Sequence, residues 1–166
     1  MAGADSLHCL VEVPKGSRNK YEWDERLQAI KLDRFLFSSV VYPTDYGFIQ
    51  GTLTEKGSAL DAMVIVGAPT FPGIVIPVKA IAVFRTRDEA GQDDKVLCVP
   101  HEDPNWNHMQ ELDDLPKGLR TEIEHFWSIY KEPEGKPVEI QGWEDRRCAL
   151  EVIEAGRRRR EQAEAG

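Results

Sequence analysis

Short alternations of apolar and polar residues, separated by turn sequences, run through the chain from Leu7 to Val99. In the first of them every second residue from Leu7 to Val13 is apolar, which is the pattern of a half-buried strand. Several such strands with turn signals between them predict a small β-barrel. The predicted strands are Leu7–Val13, Lys20–Asp24, Ala62–Val66, Ile74–Phe84 and Val96–Val99, with a further apolar segment at Ala29–Phe37.

The first two predicted strands are neighbours along the chain, separated by a turn at Pro14–Asn19. They would form an antiparallel sheet with one face in solvent. Glu12, Lys20 and Glu22 would lie on that polar face.

Two helices are predicted in the C-terminal part of the chain. Pro116–Lys131 carries an apolar stripe at helical spacing, with Pro116 in the first turn. A short strand, Pro137–Gln141, and a break at Gly142 precede a second helix from Glu144 to about Gln162. The basic run Arg157–Arg160 is expected to begin a frayed tail over residues 157–166. The predicted fold class is therefore α+β, mainly β.

Length and composition limit the classes of function. A chain of 166 residues with 41% hydrophobic content is expected to form one domain, residues 1–166. Its net charge of −8 argues against a nucleic-acid or anionic-membrane partner. The N-terminal sequence MAGADS is too polar for a signal peptide, and no apolar stretch is long enough to span a membrane. The three widely spaced cysteines form no zinc pattern, so a reducing cytoplasmic location is expected.

One predicted strand opens with a carboxylate. The stretch Tyr42–Asp61 contains a polar turn around Tyr46 and ends by placing Asp61 at the start of the apolar run Ala62–Val66. An ionised carboxylate is costly to bury unless it is paired or binds a metal. We therefore expect other parts of the chain to bring cations to Asp61.

Polar residues next to the predicted strands and the first helix supply such groups. A barrel that gathered them at one mouth would combine carboxylates, which persist together only around cations, with Lys, Arg and Tyr, which suit phosphate oxygens. Oxygen ligands without clustered Cys or His indicate Mg²⁺ or Mn²⁺, and the whole describes metal-assisted phosphoryl transfer to water. Spacing alone leaves open the alternative that these are separate surface charges. The set is Glu12, Lys20, Glu22, Arg34, Tyr42, Tyr46, Asp61, Asp88, Asp93, Lys95, Tyr130 and Lys131.

Seven segments, taken in order, resemble the soluble family I inorganic pyrophosphatases from about Leu7 to at least Leu150. They are VEVPKGSRNKYEWD, LDRF, YPTDYGFIQGTL, RDEAGQDDK, VPH, IEHFWSIYK and EIQGWED. The resemblance implies a five-stranded OB-like barrel flanked by two helices, and Mg²⁺-dependent hydrolysis of pyrophosphate to two phosphates. It also implies a homo-oligomer, since bacterial members of this length usually form hexamers.

The resemblance also implies roles, position by position. The metal ligands would be Glu12, Asp61, Asp88 and Asp93, with Glu22 linked to the same cluster. The phosphate groups would be held by Lys20, Arg34, Lys95, Tyr130 and Lys131. Tyr46 would hydrogen-bond near the nucleophile. In that chemistry Mg²⁺ ions lower the pKa of a water molecule while cations neutralise the leaving phosphate.

The most specific motif of the family, Asp-x-Asp-Pro-x-Asp, is not kept. Only its last residue, Asp61, is present; Lys56, Ser58 and Ala59 stand in place of the two other aspartates and the proline. In the catalytic set Asp61, Tyr46, Lys56 and Ser58, position 56 has therefore lost a metal ligand and position 58 the base that deprotonates the attacking water. A lysine that entered a metal cluster would compete with a cation, and serine carries no anion at neutral pH.

Three hypotheses follow from this departure. The chain could be an impaired pyrophosphatase that binds fewer Mg²⁺ (or Mn²⁺) ions, with the Lys56 ammonium standing in for one of them. It could act on another diphosphate or phosphoester. It could also be a non-catalytic homologue that binds phosphate or metal, or an assembly partner. The retained phosphate-binding set favours a ligand that carries phosphate in all three.

Overall fold

The computed structural model describes residues 7–166, and within them nine strands and two α-helices. The N-terminal sequence judged too polar for a signal peptide, residues 1–6, lies outside the described residues. The strands are β1 (Leu7–Val13), β2 (Asn19–Asp24), β3 (Ala29–Phe35), β4 (Asp45–Ile49), β5 (Leu60–Val64), β6 (Val75–Asp88), β7 (Gly91–Gln92), β8 (Lys95–Pro100) and β9 (Glu139–Glu144). The helices are α1 (Lys117–Ile129) and α2 (Arg146–Ala165), with short 3-10 turns at Leu112–Asp114 and Glu132–Glu134.

Five strands close into a ring. β1 pairs with both β4 and β6, and β5 and β8 complete the circle between them. Only the β5–β8 pair of this ring is parallel. The predicted fold class, mainly β with a five-stranded OB-like ring and two helices, is confirmed.

Strand β5 is apolar on both faces because each face is covered by a different layer. Along β5, Met63 packs with residues of α1, whereas Val64 packs with Ile153 of α2. A strand covered on both sides reads as a continuous apolar run rather than an alternation. This explains the sequence of Ala62–Val66 and leaves Asp61, at the start of that run, as its one charged residue.

The expectation that the first two strands form one sheet is wrong. Both edges of β1 are occupied by β4 and β6, so β2 pairs instead with β3 in a separate two-stranded sheet. Glu12 is consequently not on a solvent face: its side chain is buried at 8% exposure, and its Oε2 atom accepts a hydrogen bond from the Trp23 amide.

Strand β4 lies inside the stretch that the sequence presented as a turn. Its middle residue, Gly47, opposes Val11 of β1, and a Cβ atom there would lie 1.9 Å from the Leu10 carbonyl oxygen. Glycine in a strand often marks such a close approach of two backbones, and it also weakens the strand signal in the sequence. The strand carries Tyr46 to the wall of the ring.

Two other strands extend beyond their predicted ends. β6 continues beyond Phe84 to Asp88, so that Asp88 ends a strand. β9 runs through the expected break at Gly142, which has φ +100° and lies at a register shift against β6. Such a bulge accommodates an extra residue without ending the strand.

Helix α2 begins one residue after Asp145, whose carboxylate caps it by accepting a hydrogen bond from the Cys148 amide. The run Arg157–Arg160, expected in a frayed tail, lies inside this helix, which ends at Ala165. Arg159 donates to the Leu53 carbonyl oxygen at 2.8 Å and thereby joins α2 to the segment before Lys56. Within residues 7–166 neither helix is long and apolar enough to cross a membrane.

Candidate active site

A cleft of about 890 Å³ opens beside the ring, and every predicted site residue except Arg34 lines it. The ring supplies residues from β1, β4, β5, β6 and β8, and the two-stranded sheet supplies Lys20 and Glu22. Tyr130 and Lys131 come from the segment that follows α1. The charges that the sequence scatters over much of the chain therefore converge on one surface.

At the centre of the cleft, Lys95 lies between two carboxylates. Its Nζ atom is 3.5 Å from Asp61 Oδ2 and 3.1 Å from Asp93 Oδ2. The Tyr46 hydroxyl donates to Asp61 Oδ2 at 2.6 Å and accepts from Lys95 at 3.2 Å. Strand pairing fixes this geometry, since Asp61 lies opposite Phe48 of β4 and opposite Lys95 of β8. The result is a rigid chain of four polar groups in the ring wall.

The protonation of this centre follows from its burial and its charges. Burial raises the pKa of Asp61, and the repulsion from Asp93 adds to it, against the opposing effect of Lys95. Burial alone would lower the pKa of Lys95, but the attraction of Asp61 and Asp93 holds it above its ordinary value. Lys95 therefore stays charged and is the permanent cation of the centre.

Trp127 lines the cleft but is absent from the set of predicted site residues. The Lys95 Nζ atom lies 4.4 Å from the centre of its ring, within the range of a cation–π contact. Trp127 lies three residues before Tyr130, a helical spacing that puts both on one face, and this signal could have indicated its contact with the site.

Arg160 also lines the cleft, although the sequence assigned it to a tail. It reaches the cleft because α2 approaches closely: a Cβ atom on Gly156 would lie 3.2 Å from the Thr52 side chain. No local sequence pattern reports this approach, since it depends on how a distant helix packs.

Glu12 is a second carboxyl group of the cleft whose pKa is raised mainly by burial. Burial raises its pKa to about 7, with repulsion from Asp61 and Glu22 adding to the effect and the Trp23 amide opposing it. A cation bound nearby would stabilise the ionised form of a carboxyl group that is buried beside other carboxylates.

Asp88 forms a different corner of the cleft, in which ammonium groups surround one carboxylate. Lys56 Nζ lies 3.4 Å from Oδ1, and Lys131 Nζ lies 3.2 Å from Oδ2. The Ala90 amide donates to Oδ1 at 2.8 Å. Burial would raise the pKa of Asp88, but the Ala90 amide and the two ammonium groups outweigh it and lower that pKa. Both oxygen atoms are thus engaged by cations of the chain itself.

The loop that departs from the family motif is a closed turn. The Thr54 amide donates to the Ser58 carbonyl oxygen at 2.7 Å, and the Gly57 amide donates to the Thr54 carbonyl oxygen at 3.0 Å. Gly57 has φ +89°, a conformation that suits glycine. The Ser58 hydroxyl lies 3.3 Å from the Thr54 hydroxyl and provides no charge.

Arg34 lies outside the cleft. It is on β3, where its Nη1 atom pairs with Glu134 Oε1 at 3.0 Å. Lys20 lies across the two-stranded sheet from Arg34 but does line the cleft, with Asp33 3.6 Å from its Nζ atom. The phosphate-binding role expected of Arg34 stays a prediction.

The donor set fits a divalent cation in one part of the cleft only. Among the described residues, no three His, Cys, Asp or Glu groups converge as a metal-binding cluster. The hydrogen bonds and ion pairs that Asp61 and Asp93 make within this part of the chain all run through Oδ2, which leaves the other oxygen atom of each for a cation. At Asp88 neither oxygen atom is available in this way.

Comparison with known proteins agrees with this chemistry. The family model described as inorganic pyrophosphatase matches residues 9–161. The inorganic pyrophosphatase of Streptomyces coelicolor is 51% identical over 150 residues, covering 90% of this chain and 92% of that protein. The one from Methanosarcina acetivorans is 49% identical over 150 residues, covering 90% and 89%. The crystal structure of the Thermus thermophilus inorganic pyrophosphatase superposes with a TM-score of 0.91 at 44% identity, covering 95% of this chain and 92% of that one.

Proposed function

Because the chain belongs to the inorganic pyrophosphatase family, we propose that it hydrolyses inorganic pyrophosphate to two phosphates in this cleft, at an impaired rate. The observation that carries the proposal is the convergence of ammonium, carboxylate and tyrosine groups on one cleft. A diphosphate needs several cations around its oxygen atoms, and hydrolysis needs a water molecule held against one phosphorus.

Three lysines of the cleft would bind the substrate. Lys95 is held between Asp61 and Asp93, and Lys131 is held by Asp88, so both ammonium groups are already oriented before a phosphate arrives. Lys20 approaches from the two-stranded sheet. Tyr130, the residue directly after α1, would donate its hydroxyl to a phosphate oxygen. Orientation before binding reduces the entropy cost of holding the diphosphate.

A divalent cation, Mg²⁺ with Mn²⁺ as a substitute, would be held by Asp61 and Asp93, with Glu12 and Glu22 nearby in the same cleft. Bound there, it would withdraw charge from phosphate oxygens and make a water molecule more acidic. The Tyr46 hydroxyl fixes the Asp61 carboxylate by its 2.6 Å hydrogen bond. We expect fewer such ions than in family members that keep the whole motif.

The impairment follows from position 58. The Ser58 side chain is a neutral hydroxyl beside Thr54, so the attacking water has no anionic group there to take its proton. Assistance by a general base is typically worth about 10² to 10⁴ in rate. We therefore expect turnover that is measurable but slow.

The altered loop also supports a second candidate, hydrolysis of another diphosphate or a phosphoester. Lys56 replaces an aspartate of the family motif, and Arg160 is a further cation of the cleft, so a ligand with an additional anionic group would suit them. The third hypothesis, a non-catalytic homologue that binds phosphate or metal, predicts no turnover of any of these compounds. The cytoplasmic location expected from the cysteines stays a prediction, as does the hexamer implied by the resemblance.

The test is phosphate release from pyrophosphate by the purified chain with Mg²⁺, beside a panel of organic diphosphates and phosphoesters. We expect pyrophosphate to be the best substrate and Asp61→Asn to lower its turnover by about 10². Asp113→Asn, at an exposed carboxylate outside the cleft, serves as the matched control and should leave turnover unchanged. Faster turnover of an organic compound would favour the second candidate, and no turnover of anything would overturn both.

A further inference from the structure

We propose that Lys56 is a resident cation of the cleft, whose ammonium group permanently replaces a divalent ion at Asp88. This deepens the proposed function and rests on it only for the identity of the phosphate-bearing substrate. The sequence allowed Lys56 either to weaken a metal site or to stand in for one of its ions, and the contact with Asp88 favours the second role.

Both carboxylate oxygen atoms of Asp88 are already occupied by groups of the chain. Its Oδ1 atom contacts the Lys56 ammonium and the Ala90 amide, and its Oδ2 atom contacts the Lys131 ammonium. One carboxylate between two ammonium groups leaves this corner with a positive balance. A divalent ion would have to displace an ammonium group from each oxygen atom it used, and it would be repelled by the one that remained.

The segment around Lys56 is held in place by hydrogen bonds. The turn from Thr54 to Ser58 is closed by two backbone hydrogen bonds, and Gly57 has the positive φ that such a turn requires. Arg159 of α2 fastens the preceding residue by donating to the Leu53 carbonyl oxygen. Lys56 is exposed as a whole residue, but its side chain is only 24% exposed and lines the cleft.

The Lys56 ammonium could also bind a phosphate group of the substrate. An ammonium group has three donor hydrogens, and the contact with Asp88 uses one of them. The cleft surface around Lys56 includes Lys131, so two cations of the chain stand where one phosphate group of a diphosphate could bind both. A tethered ammonium neutralises phosphate charge as a divalent ion does, but it cannot acidify a water molecule.

The test is the number and affinity of Mn²⁺ ions bound per chain, measured by calorimetry and by electron paramagnetic resonance without substrate. We expect Lys56→Asp to bind one more ion than the wild type. We expect Lys56→Met, which removes the charge without adding a ligand, to tighten the weakest Mn²⁺ site by at least about tenfold, because a unit charge about 4 Å away is lost.

The matched controls are Lys117→Asp and Lys117→Met at an exposed residue that begins α1 outside the cleft; they should bind Mn²⁺ as the wild type does. Equal stoichiometry and affinity in the wild type and both Lys56 variants would overturn the inference. Parallel phosphate-release assays separate the two claims. If Lys56→Asp binds an added ion but no pyrophosphate is hydrolysed, the role of Lys56 as a resident cation stands and the proposed function fails. If pyrophosphate is hydrolysed but Mn²⁺ binding is unchanged in both Lys56 variants, the proposed function stands and the role of Lys56 fails.

Discussion

The double variant Lys56→Asp/Ser58→Asp is expected to release phosphate from pyrophosphate about 10²- to 10⁴-fold faster than the wild type. An aspartate at position 58 provides the anionic base that the serine lacks. An aspartate at position 56 removes the ammonium from Asp88 and adds a carboxylate ligand beside it. The two changes alter the charge of the loop by −2 and by −1, so the cleft becomes more attractive to divalent ions.

This gain is measured as initial rates of phosphate release over a range of Mg²⁺ concentrations. The matched control is Lys117→Asp/Ser39→Asp, which makes the same charge change at two exposed residues outside the cleft and should not alter the rate. The account of position 58 fails if the double variant, folded and binding Mg²⁺, is no faster than the wild type.

The substitution Lys95→Met is expected to lower the free energy of unfolding by about 3–5 kcal/mol, because it leaves Asp61 and Asp93 without their shared cation. Lys95 is 1% exposed, so water cannot replace the ammonium at low cost. The contact with the Trp127 ring would also be lost as a cation–π contact. The measurement is urea unfolding in the presence of a chelator, so that no divalent ion compensates the two carboxylates.

Lys79→Met is the matched control for this experiment. The Lys79 ammonium donates to the Asn107 carbonyl oxygen and pairs with no carboxylate among the described residues. We therefore expect Lys79→Met to lower the free energy of unfolding by about 1 kcal/mol. If Lys95→Met also lowers the free energy of unfolding by less than about 1 kcal/mol, then Asp61 and Asp93 do not depend on Lys95.

The centre of the site could be predicted from sequence because its residues have local signals. Asp61 was conspicuous as a carboxylate at the start of a buried strand, and the cation it required is Lys95, on the strand paired with it. A small barrel also followed from local patterns, since short strands recur between turns, whereas its five-stranded form was implied only by the family resemblance. Burial and alternation carried this information.

The parts of the fold and of the site that the sequence did not predict depend on contacts between distant segments. β4 was hidden because Gly47, which lets two backbones meet, weakens the strand pattern. Arg34 was assigned to the phosphate site, yet it pairs with Glu134, about which the sequence gives no hint. The contact of Lys56 with Asp88 joins residues that no periodicity relates. The sequence could indicate that Lys56 would disturb a metal site but not that Asp88 would hold it.

The most direct test of the account is a crystal of the wild type with Mn²⁺ and pyrophosphate, measured for anomalous scattering from manganese. We predict a manganese peak beside Asp61 and Asp93, none at Asp88, and the Lys56 ammonium still in contact with Asp88 Oδ1. A manganese peak on Asp88, with Lys56 turned away from it, would contradict the account.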